Sequence, residues 1–198
     1  MKKIISILVL SLFCLTYFTG CLKNNNIDKE NIKVDSSLKI NQIYNSVKDL
    51  KENSFDMVEV NVKSTESVMY KELGVTISTV KVKSSLKGKF KSGEQIRIIE
   101  TGGKYKYTGN DSKIKHDQLI EQVCDGIPVM ESSERYILFI NKYEGEVTKN
   151  AYKILGVYQG KFKVDNDIVV QKSPEKYKIR DFTLENVDKF KQRINELK

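Results

Sequence analysis

Hydrophobic and polar residues change rhythm repeatedly along this chain of 198 residues, and each change predicts a different kind of element. Residues 4–18 are uncharged and largely apolar, directly behind Met1, Lys2 and Lys3. From residue 22 to Ser36 polar side chains dominate, which predicts a tether; as a flexible coil of about fifteen residues it would reach roughly 20 Å. Ser36 or Ser37 then offers an N-cap. Leu38, Ile43, Val47 and Leu50, with Tyr44 beside them, form one sticky face and predict a helix over 37–53. At the far end Leu184, Val187, Phe190, Ile194 and Leu197 repeat at three and four and predict a helix over 183–197.

Between the two helices, over 56–170, the rhythm is two-fold. Met57, Val58, Val60 and Val62 predict one strand and residues 67–73 a second. Residues 75–82 are rich in β-branched side chains and form the clearest strand. Residues 86–89 and 92–94 carry turn chemistry, and 95–101 reads as a strand stopped by Gly102 and Gly103. Tyr136, Ile137, Leu138, Phe139 and Ile140 are nearly all apolar, as in a central strand covered on both faces. Strands over 152–158 and 161–164 follow, with Gly156 and Gly160 as bend points. The turn Asp165, Asn166, Asp167 then leads into 168–170. Many short strands flanked by a helix at each end predict a mainly β (α+β) domain. It is a small antiparallel barrel, partly closed, or a strongly twisted sheet. Closure would hide strand edges that a crowded surface should not expose.

Composition adds the class of chain. At 39% hydrophobic and 30% charged the chain is globular rather than disordered. The formal charge is +8. Without Lys2 and Lys3 the remainder holds 32 basic and 26 acidic side chains, or +6. Such a surface suits anionic lipid headgroups or anionic wall polymers, although Lys and Glu mostly alternate, as a merely solubilising surface does. The abundance of Lys, Asn and Ile, with two prolines and no Trp, points to a bacterium with an A/T-rich genome, taken as Gram-positive.

The N-terminal pattern is that of a secretory signal peptide over 1–20. An uncleaved apolar anchor and plain secretion are the competing readings. The ending Phe18, Thr19, Gly20, Cys21 resembles the lipobox of bacterial lipoproteins, with Phe18 where that pattern usually has Leu. The resemblance implies cleavage between Gly20 and Cys21, a diacylglycerol on the Cys21 sulfur, and residence on the outer face of the cytoplasmic membrane. Two acyl chains hold a protein stably where one would not. Nucleic acid is then not an expected partner. Cys14 leaves with the leader and Cys21 is lipidated, so Cys124 is left without a disulfide partner and reads as a small buried hydrophobe. A fainter similarity covers roughly residues 56–141. The long strand ending in Leu86, Lys87, Gly88, then a second strand, Cys124, and Tyr136, Ile137, Leu138, Phe139 resemble netrin-type and tissue-inhibitor-of-metalloproteinase-like domains. Those domains are OB-type barrels; their disulfide cysteines are absent here, so their inhibitory function is not implied.

Catalytic signals are sparse. His116 is the one histidine, so neither a histidine-based metal site nor a Ser-His-Asp triad has support, and no metal or cofactor is expected. Gly102-Gly103 lacks the rest of a phosphate-binding loop. Asp165-Asn166-Asp167 lacks the rest of a calcium loop. One stretch, 102–128, is long enough to be a binding loop. It carries Lys104, Tyr105, Lys106, Tyr107, Lys113, Lys115 and His116, an interleaving of basic and aromatic residues suited to an anionic polymer or a sugar ring. Asp111, Asp117, Glu121 and Asp125 offset those lysines, and the alternation over 104–107 is also that of an edge strand. The competing reading, and the preferred one, is a covering loop with a short helical turn over 118–123. The expected function is that of a lipid-anchored binding or interaction module. The alternatives are a cell-envelope enzyme using carboxylates, or an accessory protein that scaffolds another envelope protein.

Overall fold

The computed structural model describes residues 31–197. The predicted leader, Gly20, Cys21 and the tether up to residue 30 lie outside the described residues. The elements run β1 (Ile32–Ser36), α1 (Val47–Asn53), β2 (Asp56–Tyr70), β3 (Leu73–Ser85), β4 (Gln95–Thr101), β5 (Gly103–Lys106) and β6 (Leu119–Cys124). They continue with β7 (Arg135–Lys142), β8 (Ala151–Ile154), β9 (Lys161–Asp165), β10 (Ile168–Gln171), β11 (Glu185–Asn186) and α2 (Val187–Glu196). The domain is mainly β with two helices.

One sheet has the order β11-β10-β9-β7-β2-β3-β4-β8, and a second, smaller one the order β1-β6-β5. In the large sheet β7 is the organiser. One of its edges bonds to β2, while the other is shared between β9 at residues 135–138 and β8 at residues 140–142. Because β8 also lies parallel to β4, pairing runs from β7 through β2, β3, β4 and β8 back to β7. That ring is made at one end of β7 only; at the other end the sheet continues into β9, β10 and β11. The sheet is therefore not a closed barrel over its full length, and β4–β8 and β1–β6 are parallel, unlike the antiparallel arrangement expected.

Alternation along β7 divides the core. Tyr136, Leu138 and Ile140 pack inward with Val58, Val60, Val80, Val82, Ile96 and Ile98. Ile137 and Phe139 face the other way, toward α1, α2 and Phe162. Both sets are buried, as the apolar run predicts.

Several expected boundaries are corrected. The helix over 37–53 is only Val47–Asn53, because Ser46 is the cap, its hydroxyl accepting from the Asp49 N–H at 2.9 Å. Upstream of it the N–H groups of Leu38 and Tyr44 donate instead to Asp125 and Gln159, far along the chain, and Ile43 is exposed. The tether does not extend to Ser36, since 32–36 pairs with β6 as β1. The two strands placed at 57–62 and 67–73 are the single strand β2 and the start of β3. Register shifts at Glu59/Val60 and Val62/Ser64 let β2 bend between its buried first half and the exposed polar stretch 63–66. The strand over 152–158 ends at Ile154, where the chain turns through Gly156 and Val157, both at positive φ. The last helix starts at Val187 rather than Thr183, capped by Asn186, and Leu184 is exposed. The helical turn over 118–123 is β6, with Ile120, Gln122 and Cys124 inward.

Candidate functional site

A cleft of about 280 Å³ is assembled from strand ends and connections. That volume is near the lower limit for a small-molecule site. Val75 on β3 and Ile99 and Thr101 on β4 form its floor. Tyr70 rises from the end of β2, and Tyr143 and Val147 come from the β7–β8 connection. These two walls are clasped together: the Tyr70 hydroxyl donates to Glu146, and the Lys71 ammonium lies 3.2 Å from the same carboxylate. Ile127 and Val129 follow β6, and Val157 and Tyr158 stand in the β8–β9 connection.

An ion pair lies at the base. The Lys161 ammonium is 2.6 Å from Glu100, with side-chain exposures of 2% and 9%. It also donates to the Pro128 carbonyl at 2.8 Å and lies 5.7 Å from the Tyr136 ring. The second Glu100 oxygen accepts from the Met130 N–H at 3.0 Å. Both carboxylate oxygens are thus engaged. Desolvating such a pair costs several kcal/mol per ion, so it is poor evidence of added stability. Hydrophobic residues of similar volume would often serve the fold as well.

Backbone conformation marks one wall as well. Val157 has φ +62°, a left-handed conformation in which a β-branched side chain is an outlier. Holding it there costs of order 1–3 kcal/mol. The Tyr158 N–H donates to the Gly156 carbonyl at 2.6 Å, closing a tight turn that holds Val157 at the cleft. The Tyr158 hydroxyl donates to Asp125 at 3.1 Å; burial, followed by the neighbouring Cys124 and Asp125, pushes its pKa up and keeps it a donor. Asp125 also accepts from the Leu38 N–H and faces Lys176, so this wall is tied to the N-terminal segment.

The residues singled out in the sequence lie elsewhere. Lys104 and Lys106 are exposed on β5, where Lys104 is 3.8 Å from Glu121. Tyr105 and Tyr107 turn inward and pack with Ile120, Val34, Met69 and Ile114. Gly74 leaves room for the Tyr105 ring, since a Cβ there would stand 2.3 Å from it; a Cβ on Gly103 would stand 2.1 Å from the Thr76 hydroxyl, so Gly103 lets β5 lie close against β3. Lys113, Lys115 and His116 are exposed in the β5–β6 connection, with His116 3.1 Å from Asp117. The interleaved segment is thus an edge strand and a loop, and its tyrosines are core. Cys124 is buried, and burial followed by nearby carboxylates raises its thiol to about 11, which keeps it an unreactive thiol at neutral pH. Among the described residues no cluster of His, Cys, Asp or Glu could hold a metal ion, and no helix is long and apolar enough to cross a membrane.

Nothing in the sequence singles out Tyr70, Tyr143, Val157 or the Lys161–Glu100 pair. Their positions in the chain carry no local spacing that would join them, since Glu100 and Lys161 are 61 residues apart. No protein-family model matches the chain, and no curated protein matches it at a meaningful level.

Proposed function

We propose that this chain is a lipid-anchored extracytoplasmic binding module, with the leader cut between Gly20 and Cys21 and Cys21 carrying the lipid. The five-strand ring is read as a partly open OB-type barrel. In OB folds the second and third strands, together with the loops after the first and fourth, bind ligands. Counting β2 as the first strand of the ring, the cleft falls on the corresponding surface. Val75, Ile99 and Thr101 belong to its second and third strands, Tyr70 leads into the loop after the first, and Tyr143 and Val147 lie in the loop after the fourth.

The observation that carries the reading is Val157. A strained, β-branched residue held against an apolar cleft costs the fold free energy that packing alone does not explain. Strain of that kind persists where a site requires a shape. The ligand class is a small, largely apolar molecule or side chain, with aromatic rings on two sides and polar contact at the Lys161 end. The carboxylate-based enzyme reading would call for free carboxylates facing the cleft, and Glu100 there has both oxygens engaged.

Two measurements test the reading. In a bacterial host, Cys21→Ala should abolish labelling by fatty acid; retained labelling would end the anchor proposal. Val157→Asn should relieve the strain and raise the melting temperature by a few degrees, while weakening ligands found by a thermal-shift screen of the native protein. Unchanged stability together with unchanged ligand response would remove Val157, and the cleft with it, from the proposal.

A further inference from the structure

A second surface, at the other end of the β2–β3 hairpin from the cleft, has a different chemistry. The connection after β3 places Lys87, Lys89 and Lys91 around Gly88, with no acidic residue from Ser85 to Gly93. The carboxylate beneath it, Asp56, is fully buried and committed to shaping the loop. It accepts from the Ser85 hydroxyl at 2.5 Å and from the N–H groups of Lys87 and Lys89 at 3.0 Å each. Phe55, Phe90 and Tyr152 form a half-buried aromatic floor, Phe55 stacked on Tyr152 at 5.9 Å and Phe90 edge-on to both. The ammonium groups of Lys142 and Lys89 lie 5.2 and 5.9 Å from the Phe55 ring centre. Lys89, Lys91 and Lys142 are exposed, and none of them is in an ion pair among the described residues. Burial, reinforced by Lys51 and Lys89, lowers the pKa of Lys87, even though Asp56 opposes the shift. Glu94, acidic and exposed beside the loop, accepts from the Lys91 N–H at 2.9 Å.

We infer that this aromatic floor with its lysine rim binds a phosphate-bearing polymer of the cell envelope. Spread ammonium groups without a deep pocket suit an extended polyanion, whose successive charges they meet together. Aromatic faces add stacking for sugar or polyol units, and Lys–π contacts keep the ammonium groups over the floor. The choice of a polymer over the protein's own membrane rests on the proposed anchor at Cys21 and on topology. β1 is parallel to β6 with Ile32 opposite Ile120, so the chain enters beside the β5–β6 connection. That connection meets the far end of β2, where the Thr108 N–H lies 3.3 Å from the Met69 sulfur. The entry point and the lysine rim thus lie at opposite ends of β2, 15 residues or about 50 Å of strand path before its bends. A lipid on Cys21 would therefore hold the domain by the end of β2 remote from the rim, and the rim would stay open to a polymer beyond the membrane.

The test uses the full lipidated chain in phosphatidylcholine or phosphatidylglycerol vesicles, with inorganic polyphosphate as the probe. Polyphosphate should protect Lys89, Lys91 and Lys142 from acetylation in both vesicles. Replacing these three together by Gln should weaken polyphosphate binding at least tenfold, and high salt should abolish it. Replacing Lys104, Lys106, Lys113 and Lys115 by Gln should leave it unchanged. Equal binding by the triple variant and the native chain overturns the site. Protection by phosphatidylglycerol alone, without polyphosphate, overturns the assignment to a wall polymer. Absence of fatty acid on Cys21 overturns the anchor instead, and a chain without it that still binds polyphosphate through the three lysines retains the site.

Discussion

Two segments of this chain look alike on paper and behave as opposites in the fold. Lys104-Tyr105-Lys106-Tyr107 and Lys87-Gly88-Lys89-Phe90-Lys91 both interleave lysine with aromatic residues. The first is strand β5 continued in extended pairing to Tyr107, and its two-residue period sends both tyrosines into a small core and both lysines to solvent. The second is an irregular loop pinned from below by Asp56, and period no longer decides which way side chains point. Its lysines and its phenylalanine therefore share one surface. Basic–aromatic alternation acquires a binding character only where the backbone departs from the strand that would separate the two residue types.

The largest effect expected from this contrast is at Tyr105. Tyr105→Ala removes a ring packed against Gly74, Tyr107 and Ile120, together with the hydroxyl contact to Gln122 at 3.2 Å. Truncation of a buried aromatic costs about 3–5 kcal/mol, and denaturant unfolding should show a loss in that range. A loss below about 1 kcal/mol would place the tyrosines outside the core and return the segment to the binding-loop reading.

Next in size is a set of basic residues committed to structure. Glu59 is buried and meets Lys83 from β3, Arg135 from β7 and Lys191 from α2, with the Ser84 hydroxyl beside it. Desolvation works against its charge, yet hydrogen bonds from Lys83, Lys191 and Arg135 prevail and hold its pKa at about 2 instead of 4.5. The folded-state pKa is depressed, so the stabilisation is fully present above pH 4.5 and is lost as pH falls toward 2. The shift corresponds to about 3 kcal/mol. Native chain and Glu59→Gln should therefore converge in stability as pH drops through that window. A constant difference from pH 6 to pH 2 would show that these cations do not act through the Glu59 charge.

How far the sequence announces this arrangement depends on how local the cause is. The strand at 136–140 is legible because burial on both faces leaves an unbroken apolar run. β6 is not, because its inward Gln122 looks like a surface residue until the Gly74 N–H is found donating to its amide oxygen at 2.7 Å. The segment before α1 imitates a helix by spacing alone; Asp125 and Gln159, distant in sequence, take its backbone donors. Cleft and lysine rim are harder still. Each joins side chains from separate connections, and Asp56, which shapes the rim, reads in the sequence as the polar start of a strand.

Phe90→Ala separates the loop from a hidden core. Its ring is half-buried and touches Phe55 and Tyr152 edge-on. Losing those contacts should cost about 1 kcal/mol, the scale of an aromatic pair with partial burial. A loss as large as that of Tyr105→Ala would mean that the second segment is core as well, and the contrast would collapse.

The smallest expected effect is the most diagnostic. Replacing Lys104, Lys106, Lys113 and Lys115 together by Gln removes four positive charges from an edge strand and the loop behind it. Lys104 forms only a loose pair with Glu121, at 3.8 Å and with 56% of its own side chain exposed. Exposed pairs of this kind are worth roughly 0–1 kcal/mol. The neighbouring Asp111 and Asp117 lose some attraction, but salt at physiological strength screens exposed charges beyond about 8 Å. Stability should therefore move by no more than about 0.5 kcal/mol, read as an unchanged denaturation midpoint. The tyrosines between these lysines carry the packing, so the same stretch of chain should tolerate the loss of every second residue and fail at the others. A substantial drop in stability from the lysine changes would show that charge, and not the buried face, holds β5 in place.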